Sequence, residues 1–323
     1  MKIRIGIAGF GNVGRGAALA VNANPDMELK AIFTRRDPTS LDIGNIGVPV
    51  LSVESAADMI DDIDVMLLCG GSATDLPEQA PYFASMFNIV DSYDTHAKIP
   101  EYMASIDAVA TKTTAIISAG WDPGPFSMMR ALFESVLPDG ATYTFWGKGV
   151  SQGHSDAIRR INGVLHAVQY TIPIESAVNA VRSGERPVLE ARQKMKRDCF
   201  VVAEDTADKA VIEETIKNMP HYFADYDTTV TFIDIEEFEK EHTEMPHGGM
   251  VLRSGNTGKN SQVMEFSLKL ESNPEFTGSI IATYARAAYR MSKEGIFGAK
   301  TVFDVPLSYL HPSDRTSIIR DLL

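Results

Sequence analysis

With 323 residues, 44% of them apolar and 23% charged, the chain is long enough for about two domains with cores of their own, and its composition is that of a globular protein, not a disordered one. A net charge of −13 argues against nucleic acid as a partner, because the basic clusters that phosphate contacts need (Arg35-Arg36, Arg159-Arg160, Lys194 to Arg197) are short. No run approaches the roughly 18 apolar residues of a membrane span, the N-terminus lacks a charged n-region followed by an uninterrupted apolar h-region, and the two cysteines, Cys69 and Cys199, read as free buried thiols of a reducing compartment, so a cytoplasmic protein is expected.

The first predicted strand, Ile3 to Ala8, runs directly into Gly9-Phe10-Gly11-Asn12-Val13-Gly14. In this pattern the first glycine permits a tight bend, the second lets a pyrophosphate approach the backbone, and the third lets helix and strand pack closely, with phosphate on the helix N-terminus. The glycine pattern alone would be weak, but Arg15 to Asn22 continues as a helix and Met27 to Phe33 as a second strand, which completes a βαβ unit. An NAD site usually places an acid roughly 20 residues beyond the last glycine, whereas a 2′-phosphate wants guanidinium there. The chain has Thr34-Arg35-Arg36, which points to NADP; the competing reading makes the two arginines a solvated pair and gives the ribose to Asp37.

Apolar runs recur at Val65 to Cys69, Ile89 to Tyr93 and Ala115 to Ala119, each followed by a helical pattern. That alternation predicts a doubly wound parallel sheet of the Rossmann type, with ligands bound beyond the carboxyl ends of the strands. After Pro138 the strands lengthen and alternate: Ala141 to Trp146, His166 to Ile172, Arg197 to Ala203, Thr228 to Ile235 and Gln262 to Leu270, with helices at Glu175 to Arg182 and Asp208 to Asn218. This predicts a second, α+β domain with a largely antiparallel sheet whose open face a homodimer would cover. The expected division is 1–120 for dinucleotide binding and 121–276 for substrate and dimerisation, with a helical tail from about 277 to 323 returning to the first domain.

Asp94 and Asp122 each follow a strand end where the nicotinamide would lie, and a pair of carboxylates suits acid/base work or an ammonium ligand. Each acid could equally cap the next helix. Trp146-Gly147-Lys148-Gly149 and Ser151-Gln152-Gly153-His154-Ser155-Asp156 read as a polar binding loop. His242 and His247 bracket Pro246, which breaks any helix that would align the two imidazoles, so no metal site is expected; Gly248-Gly249 reads instead as a tight turn presenting His247.

Several of these segments together resemble the meso-diaminopimelate D-dehydrogenase family of bacterial lysine biosynthesis: Ser72-Ala73-Thr74-Asp75 with Pro77-Glu78-Gln79-Ala80-Pro81, Gly120-Trp121-Asp122-Pro123-Gly124, Phe145-Trp146-Gly147, Ser151 to Asp156, and Met245-Pro246-His247-Gly248-Gly249. The resemblance implies an NADP-dependent homodimer that oxidatively deaminates the D-centre of meso-2,6-diaminopimelate to L-2-amino-6-oxopimelate and ammonia, reversibly. Carried over, it implies cofactor contacts from Phe10, Gly11, Asn12 and Val13, Thr34, Arg35 and Arg36, Cys69, Gly70, Gly71 and Ser72, Ser92, Tyr93 and Asp94, and Ala119, Gly120, Trp121, Asp122 and Pro123. Substrate contacts are implied for Asp94, Asp122, Trp146, Thr171, Arg197, His247 and Asn273, with Gln152 and Gly153 near the reacting end. Asp94, Asp122 and His154 all stand as possible general bases.

Overall fold

The structure is a computed structural model describing residues 2–323. It divides into two compact units, the described residues up to Met128 with Pro274–Leu323, and Met129–Asn273.

The first unit is built on a seven-stranded sheet. Its strands are β1 (Ile3–Ala8), β2 (Met27–Thr34), β3 (Val50–Ser52), β4 (Val65–Leu68), β5 (Asn88–Asp91), β6 (Thr114–Ile116) and a last strand, Gly298–Lys300. Their order across the sheet is Gly298–Lys300, β6, β5, β4, β1, β2, β3, and every pairing is parallel. Helices α1 (Asn12–Ala23), α2 (Leu76–Ala84) and α3 (Ile99–Asp107) connect them. Because both faces of such a sheet are covered, its strands must be apolar on both sides. In β4, Val65 and Leu67 join the core beneath α1, while Met66 and Leu68 join a second core with Phe83 and Ile106 from α2 and α3. The helix Asn273–Lys293 supplies Ile281, Tyr284, Ala288 and Met291 to the α1 side. Its buried Arg286 grips both Asp26 oxygens at 2.6 and 2.7 Å and the Leu310 carbonyl at 2.7 Å, which ties the C-terminal segment to the start of β2.

β5 and β6 stop earlier than their apolar runs, at Asp91 and Ile116. Two residues beyond each strand end the amides have left the ladder: those of Tyr93 and Ser118 donate to the Asp91 carboxylate at 3.0 and 2.9 Å. Asp37 caps the short turn Pro38–Ser40 by accepting from the Thr39 amide at 2.9 Å, so its carboxylate is engaged by its own loop.

The second unit holds two sheets where one was expected. Its strands are β7 (Gly140–Trp146), β8 (Gly149–Val150), β9 (Val164–Pro173), β10 (Met195–Ala203), β11 (Thr228–Phe232), β12 (His247–Thr257) and β13 (Asn260–Leu270). One sheet runs β11-β10-β9-β8, antiparallel except for the parallel β10–β11 pair; the other, β13-β12-β7, is antiparallel throughout. The expected tight turn at Gly248-Gly249 is the opening of β12, the central strand of the second sheet. A Cβ at Gly248 would lie 2.2 Å from the Leu268 carbonyl oxygen, and one at Gly249 would lie 2.3 Å from that of Phe145, so these glycines admit close neighbours on either side. Two further expectations are corrected. Residues after Ser151 form a helix, Gln152–Arg159, in place of a loop, with Ser155 and Ile158 buried. β11 ends at Phe232, short of Ile235, because Asp234 accepts from the Glu237 amide at 2.8 Å and starts the helix Ile235–Glu241.

Candidate active site

In the first unit the ends of β1, β2 and β4 open on a groove of about 440 Å³. It gathers Gly9, Phe10 and Gly11, Thr34, Arg35 and Arg36, and Cys69, Gly70 and Gly71 from the expected set. Asn12, Val13 and Gly14 belong to the first turn of α1. A Cβ on Gly14 would sit 2.2 Å from the Gly9 carbonyl oxygen, which explains the third glycine; one on Gly11 would meet nothing within 4 Å, which leaves space where a pyrophosphate would approach. Ser72 and Tyr93 line a neighbouring groove of about 360 Å³. The Ser72 hydroxyl accepts from the Asp94 amide at 3.1 Å, so the β4 and β5 loops are joined at the exposed Asp94.

Asp75 and Gln79 also line the dinucleotide groove, and sequence reasoning had assigned neither. Asp75 accepts from Arg35 Nη2 at 2.7 Å, from the Gly71 amide at 3.0 Å and from the Thr74 hydroxyl at 3.1 Å. Together these donors outweigh burial and hold the Asp75 carboxyl below its usual range. The carboxylate in the groove is thus engaged by protein donors, and Arg36, whose amide donates to the Thr34 hydroxyl at 3.1 Å, lines the same groove. The residues fit a 2′-phosphate: two guanidiniums and a hydroxyl at the end of β2, with the nearby Asp37 turned to its own loop. Serine at both Arg35 and Arg36 is expected to weaken NADPH binding by about 10²-fold and to change NADH binding less than about threefold, since the phosphate contacts are lost while Asp75, freed from Arg35, keeps its Gly71 and Thr74 donors. Fluorescence titration of each reduced dinucleotide checks this, and equal losses for both would refute it.

Asp122 follows the buried strand-end residues Ala119 to Trp121 and is half-buried. Trp121 packs edge-on against Phe126 at 5.1 Å, and its carbonyl accepts the Phe126 amide at 3.1 Å, so the turn carrying Asp122 is held from behind.

In the second unit, register brings together residues distant in sequence. Arg197 on β10 pairs with Thr171 on β9, which pairs in turn with Gly149 on β8. Gly149 lies so close to the His247 ring that a Cβ there would be 2.6 Å from it. The Gly248 amide lies 2.8 Å from His247 Nδ1, and that same nitrogen is 3.1 Å from the Gly248 carbonyl oxygen, so the ring is held against its own backbone turn. Arg197 is 6% exposed and donates Nη1 to the Thr171 hydroxyl, and its guanidinium lies 4.0 Å from the Tyr226 ring centre. Among the described residues no carboxylate pairs with it, its Nε has no partner, and burial pushes its pKa down. The Thr171 oxygen also accepts from Gln169 Nε2 at 3.3 Å. With two donors directed at that oxygen, the hydroxyl proton is left to serve an acceptor.

Gln152 and Asn273 meet around Met245: Gln152 Nε2 lies 3.1 Å from its sulfur, and the Asn273 amide donates to its carbonyl at 2.9 Å. Gly153 is exposed in the first turn of the same helix as Gln152. Trp146, at the end of β7, donates its amide to Met195 Sδ at 3.4 Å. His154 bonds Ser151 Oγ at 2.7 Å, and burial together with the Arg197 charge pushes it down to about 4, which makes it a neutral, weak base. His242 stacks on Phe200 at 4.3 Å and bonds the Tyr170 hydroxyl at 3.0 Å, in an aromatic cluster of its own. Among the described residues no helix is long and apolar enough to cross a membrane.

Comparison with known proteins agrees with these features. Residues 120–272 match the model of the diaminopimelic acid dehydrogenase C-terminal domain. The meso-diaminopimelate D-dehydrogenase of Acetivibrio thermocellus is 60% identical over 327 residues, covering 100% of this chain and 98% of that protein. The solved Corynebacterium glutamicum DAP dehydrogenase in complex with DAP superposes with a TM-score of 0.93 at 45% identity, covering 100% of this chain and 99% of that one. An engineered D-amino acid dehydrogenase bound to NADP+ gives a TM-score of 0.88 at 44% identity, covering 100% of both chains. The chain belongs to the meso-diaminopimelate D-dehydrogenase family.

Proposed function

We propose that this chain catalyses the NADP-dependent oxidative deamination of the D-centre of meso-2,6-diaminopimelate, and the reverse reductive amination, in the dehydrogenase route to lysine. The observation that carries this reading is Arg197: a buried guanidinium with an orphaned Nε, a hydroxyl beside it left as a donor, and, among the described residues, no carboxylate to neutralise it. A site with that donor set is built for a carboxylate brought by a ligand.

In this proposal Arg197, Thr171 and His247 hold the carboxylate of the L-centre. Asp94 and Asp122 accept the N–H groups of the D-centre amine, and Trp146 shapes the pocket of its carboxylate, with Gln152, Gly153 and Asn273 around them. Bound NADP supplies the hydride acceptor. The protein's part is to fix both ends of a long, nearly symmetric molecule. With one end clamped, only the opposite configuration at the other end directs its hydrogen to the nicotinamide while its nitrogen meets the aspartates. Once the amine has given up its ammonium proton, loss of the hydrogen as hydride leaves a protonated imine, which water converts to the ketone and ammonium.

We further propose a cytoplasmic homodimer. Supporting this, β13 is an outer strand whose residues from Asn260 to Val263 are all exposed, the apolar Val263 at 40% among them, an edge that a second copy would cover. The functional reading is tested by absorbance of reduced nicotinamide with NADP and each diaminopimelate isomer. Rapid reduction with the meso isomer and none with the L,L isomer is expected. No reduction with the meso isomer would overturn it.

A further inference from the structure

Asp91, the last residue of β5, is completely buried. Its Oδ1 accepts from the amides of Tyr93 at 3.0 Å and Ser118 at 2.9 Å, and its Oδ2 accepts from the Tyr102 hydroxyl at 2.7 Å. Its main-chain carbonyl takes the Ala119 amide at 2.8 Å. Tyr102, from α3, lies parallel to Tyr93 with ring centres 3.9 Å apart. One residue therefore joins the ends of β5 and β6 through both its side chain and its backbone.

Three features set this carboxylate apart from an ordinary core group. It is buried and, among the described residues, has no basic partner, an arrangement that costs stability which an apolar residue of similar size would not lose. All three groups facing it are donors, so the ionised form is the one they match, although burial pushes its pKa up. The amide it accepts from Ser118 belongs to a residue at φ 55°, a left-handed conformation that non-glycine residues seldom adopt. The chain then runs directly from each anchored end to an acid: Asp91 to Asp94 in one loop, Ser118 to Asp122 in the other.

We propose that Asp91, supported by Tyr102, is a positioning residue that locks the β5 and β6 ends together and so fixes Asp94 and Asp122 as a pair. The inference rests on the assignment of those two aspartates as partners of the substrate amine. Asp91 touches no reacting atom. It acts by removing freedom from the two loops, and loop freedom costs rate steeply when a reacting geometry must be held.

The test uses Asp91→Asn and Tyr102→Phe in the full-length protein. Asparagine keeps the shape and one acceptor oxygen but replaces charge-assisted bonds with neutral ones and presents an amide NH2 towards Tyr102. The expected result is a kcat for meso-diaminopimelate oxidation lower by about tenfold, with KM for NADP within about twofold. Tyr102→Phe, which removes one donor of three, should show a smaller loss, about threefold. A residue that acts through Asp122 as well as Asp94 loses the Asp122 share of its effect when Asp122 is already changed. In the Asp122→Asn background, Asp91→Asn should therefore lower kcat by about threefold or less, against about tenfold in the wild type. Wild-type kcat in folded Asp91→Asn, or fully multiplicative losses in the double variant, would overturn the proposal. Hydrogen exchange gives a readout that does not depend on the substrate assignment. Amides 92–94 and 118–122 should exchange about tenfold faster in Asp91→Asn, and unchanged protection there would also refute the lock. If the wild-type enzyme failed to oxidise the meso isomer while exchange in the variant rose as expected, the substrate reading would fall and the lock would stand.

Discussion

Replacing Arg197 by methionine is expected to raise KM for meso-diaminopimelate by about 30- to 100-fold, the loss of charge-assisted hydrogen bonds worth about 2–3 kcal/mol. The same change is expected to leave the protein as stable as before, or more so. That pairing of outcomes follows from the state of the side chain. Arg197 is almost fully buried, burial pushes its pKa down, and among the described residues no carboxylate offsets its charge. Its partners in the protein are a hydroxyl, an aromatic ring and a backbone of two paired strands, and its Nε is orphaned. An unpaired buried cation destabilises the fold that holds it, and methionine fills similar space without that penalty. A residue serving the core would behave the other way, losing stability on substitution and leaving substrate affinity in the folded fraction untouched. Steady-state kinetics and thermal unfolding of the variant separate the two cases. An unchanged KM would remove the clamp, and a fall in melting temperature with unchanged KM would assign Arg197 to structure alone.

The parts of the fold that were legible in the sequence are those governed by local rules. The glycine run was readable because a tight turn, an open approach and a close helix–strand contact each exclude a side chain, and Gly14 against the Gly9 carbonyl shows that exclusion directly. The parallel sheet was readable because strands covered on both faces become unbroken apolar runs, as Val65 to Leu68 do. β12 was not, since its glycine pair imitates a turn and only the presence of strands on both flanks gives those glycines another reason to exist. The helix Gln152–Arg159 hid for a related cause: it buries only Ser155 and Ile158, too little to show a helical period. Asp75 and Asp91 escaped because nothing local marks them. Asp75 matters through Arg35, and Asp91 through Ser118, both far along the chain. Long-range pairing of this kind leaves no spacing to read, although an acid closing an apolar strand, as in Ile89-Val90-Asp91, is a signal that could have been weighed.

Asp122→Asn is expected to lower kcat by about 10²- to 10³-fold while changing NADP affinity less than about twofold. As the D-centre carbon gives up its hydrogen with both electrons, positive charge grows on the nitrogen attached to it, and a carboxylate aimed at that nitrogen stabilises the growing charge. An amide of the same shape offers a dipole where the carboxylate offered a full charge, and half of its polar edge is a donor directed at other donors. The loss therefore falls on the transition state more than on the bound ground state, which is the pattern of a lowered kcat. Position matters as much as charge. The turn holding Asp122 is braced by Trp121 packed on Phe126 and by the Phe126 amide on the Trp121 carbonyl, so the asparagine should occupy the same place and the comparison isolates charge. NADPH binding followed by fluorescence, alongside kcat for the meso isomer, measures both halves of the expectation. A variant with normal turnover would show that Asp122 only shapes its loop, and one that lost dinucleotide affinity in proportion to rate would place its role at the cofactor.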